Sequence, residues 1–201
     1  HNEDYVQCTV KLVMLLPIDL SLLATMVVQC ELKVMLKEQE KALTSTDGLK
    51  ELEWYMPEEF IGDNLFQWIV EMHSFNEMLL IAKDLKREKV NLLIFEIGFL
   101  PMYPIGPPFF RIITPCFLAF IQGRGGHVTG GGSICMDLLT SNGWLPSYSI
   151  SIVLMQIKLA ISNLDPKPAR LALNWNMPYS VDKSLVSFKM VETTHSWTVS
   201  T

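Results

Sequence analysis

LPMYPIGPPFFRIITP, residues 100–115, carries five prolines in sixteen positions. Proline has no amide hydrogen to give to a ladder, so no central strand runs through Tyr103 to Pro108; the chain turns rigidly there and resumes as a strand at Phe109. Upstream, DNLFQWIVEM (63–72) and VNLLIFEIGF (90–99) are rich in branched and aromatic residues and read as two further strands, the first around Trp68. The span AKDLKREK (82–89) between them reads as a solvated turn face, with a patch for a partner as the alternative. Downstream lies a glycine loop, HVTGGGSICMDLL (127–139), and then SYSISIVLMQIKLAISNL (147–164), the clearest helix in the chain. Ser149 is placed to cap it, Ile150, Val153, Leu154, Ile157, Ile161 and Leu164 recur at three and four, and Pro166 and Pro168 end it. PYSVDKSLVSFKMVETTHSW (178–197) reads as a shorter terminal helix with Val181, Leu185 and Phe188 facing inward. Strands followed by helices predict an α+β fold, an antiparallel meander sheet flanked by helices.

At 201 residues the chain has room for one substantial core and is short for two. We divide it into an amino-terminal part, 1–50, and a core domain, 51–201. The first part holds an apolar segment, LVMLLPIDLSLLATMVVQ (12–29), and an amphipathic helix from Glu31 with Leu32, Met35, Leu36 and Leu43 on one side. Pro17 and Asp19 fall in the middle of the apolar segment, and a charge there costs about 2.5–3.5 kcal/mol on insertion, which argues against a membrane span and for an apolar helix docked on the domain or a loosely ordered leader. The chain opens on His1 in an acidic HNEDY, unlike a basic signal peptide, and reads as the tail end of something longer. A formal net charge of -5 lacks the attraction to phosphate that nucleic-acid binders use. Four scattered cysteines, Cys8, Cys30, Cys116 and Cys135, form no CxxC pair and stand at no zinc spacing, so a reduced protein of the cytoplasm or nucleus is expected, with no metal.

The glycines of HVTGGGSICMDLL raise three readings. A phosphate loop needs a lysine after the last glycine, and none follows. A metal site needs more than the isolated pair His127 and Cys135. Nucleophilic catalysis by Cys135 is the third: Gly130, Gly131 and Gly132 lack Cβ atoms and would let an extended peptide tail come close to the thiol. Against it stands the bland reading, in which Cys135 between Ile134 and Met136 is a core residue, since cysteine is among the most buried residue types.

Four motifs in order, FLPMYPIGPP, RIITP, SICMDLL and GWLPSYSISIVLMQI, resemble the ubiquitin-conjugating domain over roughly residues 60–195. The GGG before the cysteine is similar to the Q-type branch, and especially to the carboxyl-terminal conjugating domains of fungal poly(ADP-ribose) polymerase-like proteins. The resemblance implies the ubiquitin-conjugating fold and an acyltransferase that carries ubiquitin, or a ubiquitin-like protein, as a thioester on Cys135 and passes it to a substrate amine or a ligase. It implies an activating enzyme and a ubiquitin ligase as partners, and no cofactor, ATP being consumed by the activating enzyme. It places Ile105, Pro146 and Ser147 in the two loops that contact ligases. It also shows departures: Gly125, Gly126 and His127 stand where the family has His-Pro-Asn, so His127 takes the asparagine's place and could offer an oxyanion donor. The family's acidic residue after the long helix falls near Ala169 and Arg170. These departures support the rival reading, an inactive adaptor that binds ubiquitin or a ligase.

Overall fold

The computed structural model of the protein describes residues 20–61, 64–119, 126–165, 167–177 and 179. Helix α1 (Leu20–Leu43) leads into α2 (Gly48–Leu52) and a two-residue strand β1 (Trp54–Tyr55). Strand β2 (Gln67–Met72), helix α3 (Leu80–Arg87), β3 (Leu93–Gly98), β4 (Phe109–Thr114) and α4 (Ile150–Ser162) follow. Among the described residues the strands form one sheet in the order β1-β2-β3-β4, each pair antiparallel. The α+β meander and all three strands read from the sequence are present.

Period-two alternation decides which side chains make the core. Trp68, Ile97 and Phe110 lie opposite one another across β2, β3 and β4, and Val70, Phe95 and Ile112 occupy the next buried positions on the same strands. Ile150, Val153, Leu154, Ile157 and Ile161 of helix α4 belong to the same buried cluster as this face, all buried as their spacing predicts. Ser149 caps it by accepting the Ile152 amide at 3.3 Å. Leu164, counted inward from the spacing, lies past the last turn and is exposed. The proline segment turns as expected, with the Tyr103 amide donating to Leu100 O and the Gly106 amide to Met102 O, both at 2.9 Å.

The helices differ from expectation where polar residues are buried. Helix α1 starts earlier than Glu31, and its buried stripe runs through Leu23, Val27, Val28, Glu31, Met35 and Gln39, with Leu32 half-buried against the core, rather than along Leu36 and Leu43. Leu43 is 54% exposed. The stripe turns polar because its polar members find partners: Gln39 brackets Met56, accepting its amide at 2.7 Å and donating to its carbonyl at 3.0 Å. Glu31 accepts the amide of Ile150, the first residue of α4, at 3.1 Å. The described part of the apolar segment, residues 20–29, thus docks on the domain, with Leu23, Val27 and Val28 in the same buried cluster as the sheet. Among the described residues no helix is long and apolar enough to cross a membrane.

The charged span read as a turn face is helix α3, which interrupts the run of strands without changing the meander. Ile81, Asp84 and Leu85 face inward, and Asp84 ion-pairs with Arg170 at 2.7 Å and accepts the Leu171 amide at 3.1 Å. The expectation of a wholly reduced chain also fails at one position, since Cys30 is disulfide-bonded. The proposed helix of residues 178–197 lies outside the described residues apart from Tyr179.

Burial pushes the Glu31 carboxyl up from 4.5 to about 8, opposed by the Ile150 amide and reinforced by Glu38 on the same helix. A carboxyl whose pKa is raised by folding stabilises the fold when protonated; that contribution is complete below about pH 4.5 and is lost as pH rises through 8. Glu31→Gln keeps an acceptor for Ile150 and removes the titration. Denaturant unfolding should show wild-type stability falling between pH 5 and 8 on the order of 2–4 kcal/mol relative to Glu31→Gln. Equal pH slopes for the two proteins would contradict this.

Candidate functional site

The glycine loop is a hairpin laid on the edge of β4. Its amino-terminal arm, Gly126 to Thr129, returns as Gly132 to Cys135, with Val128 and Ile134 bridged antiparallel and the Cys135 amide donating to His127 O at 2.9 Å. The turn closes through the Gly132 amide on Thr129 O and the Thr129 amide on Ser133 O, both 3.0 Å, and through the paired hydroxyls of Thr129 and Ser133 at 2.7 Å. Two ladder bonds fix the returning arm to the sheet: the Ile112 amide donates to Gly132 O at 2.8 Å and the Ile134 amide to Phe110 O at 2.9 Å. Cys135 is therefore the first residue past a pinned edge, and a 3-10 turn (Asp137–Leu139) follows it.

The glycines play different parts. Gly132 has φ 88°, a left-handed value, and a Cβ there would lie 2.5 Å from the Tyr179 ring and 2.8 Å from Ile112 O. Its close approach is to this chain's own β4 and Tyr179. Gly131 is buried, and Gly130 is the exposed member of the run. Gly126, at φ 89°, packs so closely on Ala169 that a Cβ would meet the alanine methyl at 2.8 Å.

His127 and Cys135 are brought together, through backbone as well as side chain. The imidazole Nδ1 lies 2.9 Å from Cys135 O; since a carbonyl only accepts, Nδ1 carries the hydrogen and donates it. Cys135 is 0% exposed, and neither it nor Cys116 is in a disulfide. A thiol so covered is out of reach of an acyl donor until the hairpin or its cover moves. Burial pushes the Cys116 thiol up.

Ile105, Pro146 and Ser147 are all exposed, Ile105 to 54%. Their two loops are tied by the buried indole of Trp144, which donates to Pro104 O at 2.8 Å. Edge-to-face contacts link Trp68, Phe99 and Tyr103, and Trp144 continues the chain to Tyr148. Leu145, 52% exposed between Trp144 and Pro146, is absent from the residues singled out above, although an apolar residue beside a loop proline is the available signal. Behind the long helix, Ala169 is buried and Arg170 is held by Asp84 through bonds of 2.7 and 2.9 Å. Asp84, which also pairs with Arg87 three positions on, is a carboxylate that the sequence could not place here, because Arg170 and Leu171 lie 86 and 87 positions away. Gly125 lies outside the described residues. A separate cleft of about 690 Å3, lined by Glu53, Phe75, Leu79, Met155, Lys158 and Leu159 among others, shares no lining residue with the hairpin. Among the described residues no group of three or more potential ligands gathers to hold a metal.

No family model matches the sequence. A Mus musculus protein named as a Q-like ubiquitin-conjugating enzyme is 28% identical over 137 residues, covering 68% of this chain and 81% of the relative. The ubiquitin-conjugating enzyme E2 Q1 of Homo sapiens is 32% identical over 142 residues, covering 68% of this chain and 32% of the relative. The ubiquitin-conjugating enzyme E2 25 of Caenorhabditis elegans is 32% identical over 140 residues, 67% of this chain and 34% of the relative. The chain thus spans about a third of the length of the longer relatives. Among solved structures, a ubiquitin conjugating enzyme E2 from Plasmodium falciparum is 21% identical with a TM-score of 0.47, covering 69% of this chain and 97% of that one. The names of the relatives support a ubiquitin-conjugating domain of the Q branch.

The left-handed Gly132 and the exposed Gly130 make a stability prediction. Gly132→Ala adds a Cβ where both φ and space forbid it and should lower unfolding free energy on the order of 2 kcal/mol or more, whereas Gly130→Ala at the exposed tip should change it by less than about 1 kcal/mol. Thermal and denaturant melts of the two variants give the comparison; equal losses would mean that the hairpin is not seated as described.

Proposed function

We propose that the domain accepts ubiquitin, or a ubiquitin-like protein, as a thioester on Cys135 and passes it to a substrate amine or to a ligase. Cys135 itself carries the reading. The cysteine of SICMDLL ends a hairpin that two ladder bonds fix to β4, in a chain whose relatives are named ubiquitin-conjugating enzymes. In the transfer, the Cys135 sulfur attacks the activating enzyme's thioester carbonyl, a new S–C bond forms, the activating enzyme's thiolate leaves, and the Cys135 proton passes to solvent. ATP is consumed by the activating enzyme, so this domain needs no cofactor. Of Gly130, Gly131 and Gly132, the tail of the carried protein approaches at Gly130, the exposed one, since Gly131 and Gly132 are buried in the resting hairpin. Ile105, Pro146 and Ser147, with Leu145, form the surface for a ligase. We place the protein in the cytoplasm or nucleus, and we retain as part of this proposal its kinship with the carboxyl-terminal domains of fungal poly(ADP-ribose) polymerase-like proteins.

The resemblance puts the family's acidic residue near Ala169 and Arg170, neither of which is acidic, and Arg170 pairs with Asp84, so this reading favours transfer to a ligase cysteine over transfer to a free lysine. A second reading, an inactive adaptor that keeps the fold and binds ubiquitin or a ligase, draws support from the complete burial of the Cys135 side chain.

Mixing the protein with activating enzyme, ATP and labelled ubiquitin separates the two. The enzyme forms an adduct that thiol reductant removes; Cys135→Ser forms it more slowly and as a reductant-resistant oxyester, and Cys135→Ala forms none. Unimpaired charging of Cys135→Ala would refute the assignment. Ile105→Ala should weaken ligase-stimulated transfer by roughly 10-fold, the scale of truncating one apolar anchor, with charging intact. Equal loss of both activities would point to misfolding.

A further inference from the structure

His127 combines two features that a loop histidine does not need. Its backbone stands at φ 56°, in the left-handed region that a side chain with a Cβ enters at a cost, though histidine is among the residues enriched there. That backbone turn brings the imidazole back over the partner strand of the hairpin. His127 then holds Cys135 at both ends of its peptide frame: its carbonyl accepts the Cys135 amide, and its Nδ1–H donates to the Cys135 carbonyl, each at 2.9 Å. The residue before it, Gly126, is locked by contact with Ala169, whose neighbours Arg170 and Leu171 are bound by Asp84 of α3. The imidazole is therefore anchored from behind and clamped on the nucleophile's own backbone.

We infer that His127 is a positioning residue: it holds the peptide frame of Cys135, and through it the direction of the thiol, instead of donating a hydrogen bond to the oxyanion from Nδ1. This rests on Cys135 being the nucleophile and revises the role expected of His127 from the sequence. The Nδ1 hydrogen is engaged by the Cys135 carbonyl in the resting protein, so offering it to an oxyanion would first require breaking the bond that orients the cysteine.

Positioning and oxyanion donation differ in a reaction that has no oxyanion. Alkylation of a thiol by iodoacetamide displaces iodide at a saturated carbon and builds no charge on a carbonyl oxygen, so its rate reads only the presentation of Cys135. Three variants of the full chain are compared, with modification followed by mass spectrometry at Cys135 and at Cys116 as internal reference. His127→Gly permits the left-handed φ without strain and removes the clamp. His127→Asn tolerates the same φ and restores an N–H donor. His127→Ala loses the clamp and keeps the strain.

The expected result is that His127→Gly melts cooperatively, alkylates at Cys135 about 2- to 10-fold faster because the frame opens more often, and leaves Cys116 unchanged, the range being that of one neutral hydrogen bond. Ubiquitin charging by the same variant falls, in its maximal rate more than in its apparent KM for the charged activating enzyme. His127→Asn recovers most of both, and should His127→Gly fail to fold, the His127→Asn and His127→Ala pair carries the comparison. An unchanged alkylation rate with charging lost overturns the inference in favour of an oxyanion donor, and unchanged rates in both assays overturn it in favour of a plain loop residue. If the wild-type protein does not charge at all while alkylation responds as described, the clamp stands and the proposed function falls.

Discussion

Two backbone hydrogen bonds, from Ile112 to Gly132 and from Ile134 to Phe110, decide where the hairpin that ends in Cys135 lies. The segment they hold is too short to count as a strand, yet it continues the sheet past β4 and sets Cys135 at the point where pairing stops. Everything at the site follows from that docking. Gly132 must be glycine because the bond to Ile112 brings the two backbones within a Cβ's width, with Tyr179 closing the other side. Tyr179 is itself tied in by accepting the Phe117 amide at 2.7 Å, and burial pushes its phenol up, so it stays protonated.

Around this edge, the helices are attached by buried polar groups as much as by apolar contact. Glu31 joins α1 to the start of α4, Gln39 joins α1 to Met56, and Asp84 joins α3 to the segment after α4. Lys158 of α4 donates to the carbonyls of His73 and Ser74 at 2.7 and 2.9 Å and pairs with Glu53 at 3.1 Å. Each is directional, so each fixes the position of a helix in a way that a leucine in the same place would not. The consequence is sensitivity: a buried group that loses its partner leaves an uncompensated donor, acceptor or charge.

That division explains what the sequence disclosed. The three strands, the proline turn and the inward face of α4 follow from local rules, alternation at two, recurrence at three and four, and the missing amide of proline, and each is found where those rules put it except Leu164, past the end of α4. The stripe of α1 and the whole of α3 escape those rules because their buried faces contain Glu31, Gln39 and Asp84, whose partners are distant in the chain. Ile81, Asp84 and Leu85 do recur at three and four, so α3 is legible once an aspartate is allowed inside. At the site, the order of motifs singles out Cys135, His127 and the two apolar loops. The reach of the imidazole to the Cys135 carbonyl, the seat of Gly132 and the buried state of the thiol depend on pairing with β4, and pairing partners are not written in a local pattern.

The central claim is that Cys135, buried at rest, becomes the point of attachment for a carried protein. Intact-mass analysis of the full chain after incubation with activating enzyme, ATP and ubiquitin tests it most directly. The account predicts one added ubiquitin, less one water, localised by peptide mapping to Cys135 and released by hydroxylamine. An unmodified mass, or an adduct mapped to Cys116 or to a lysine, would contradict it.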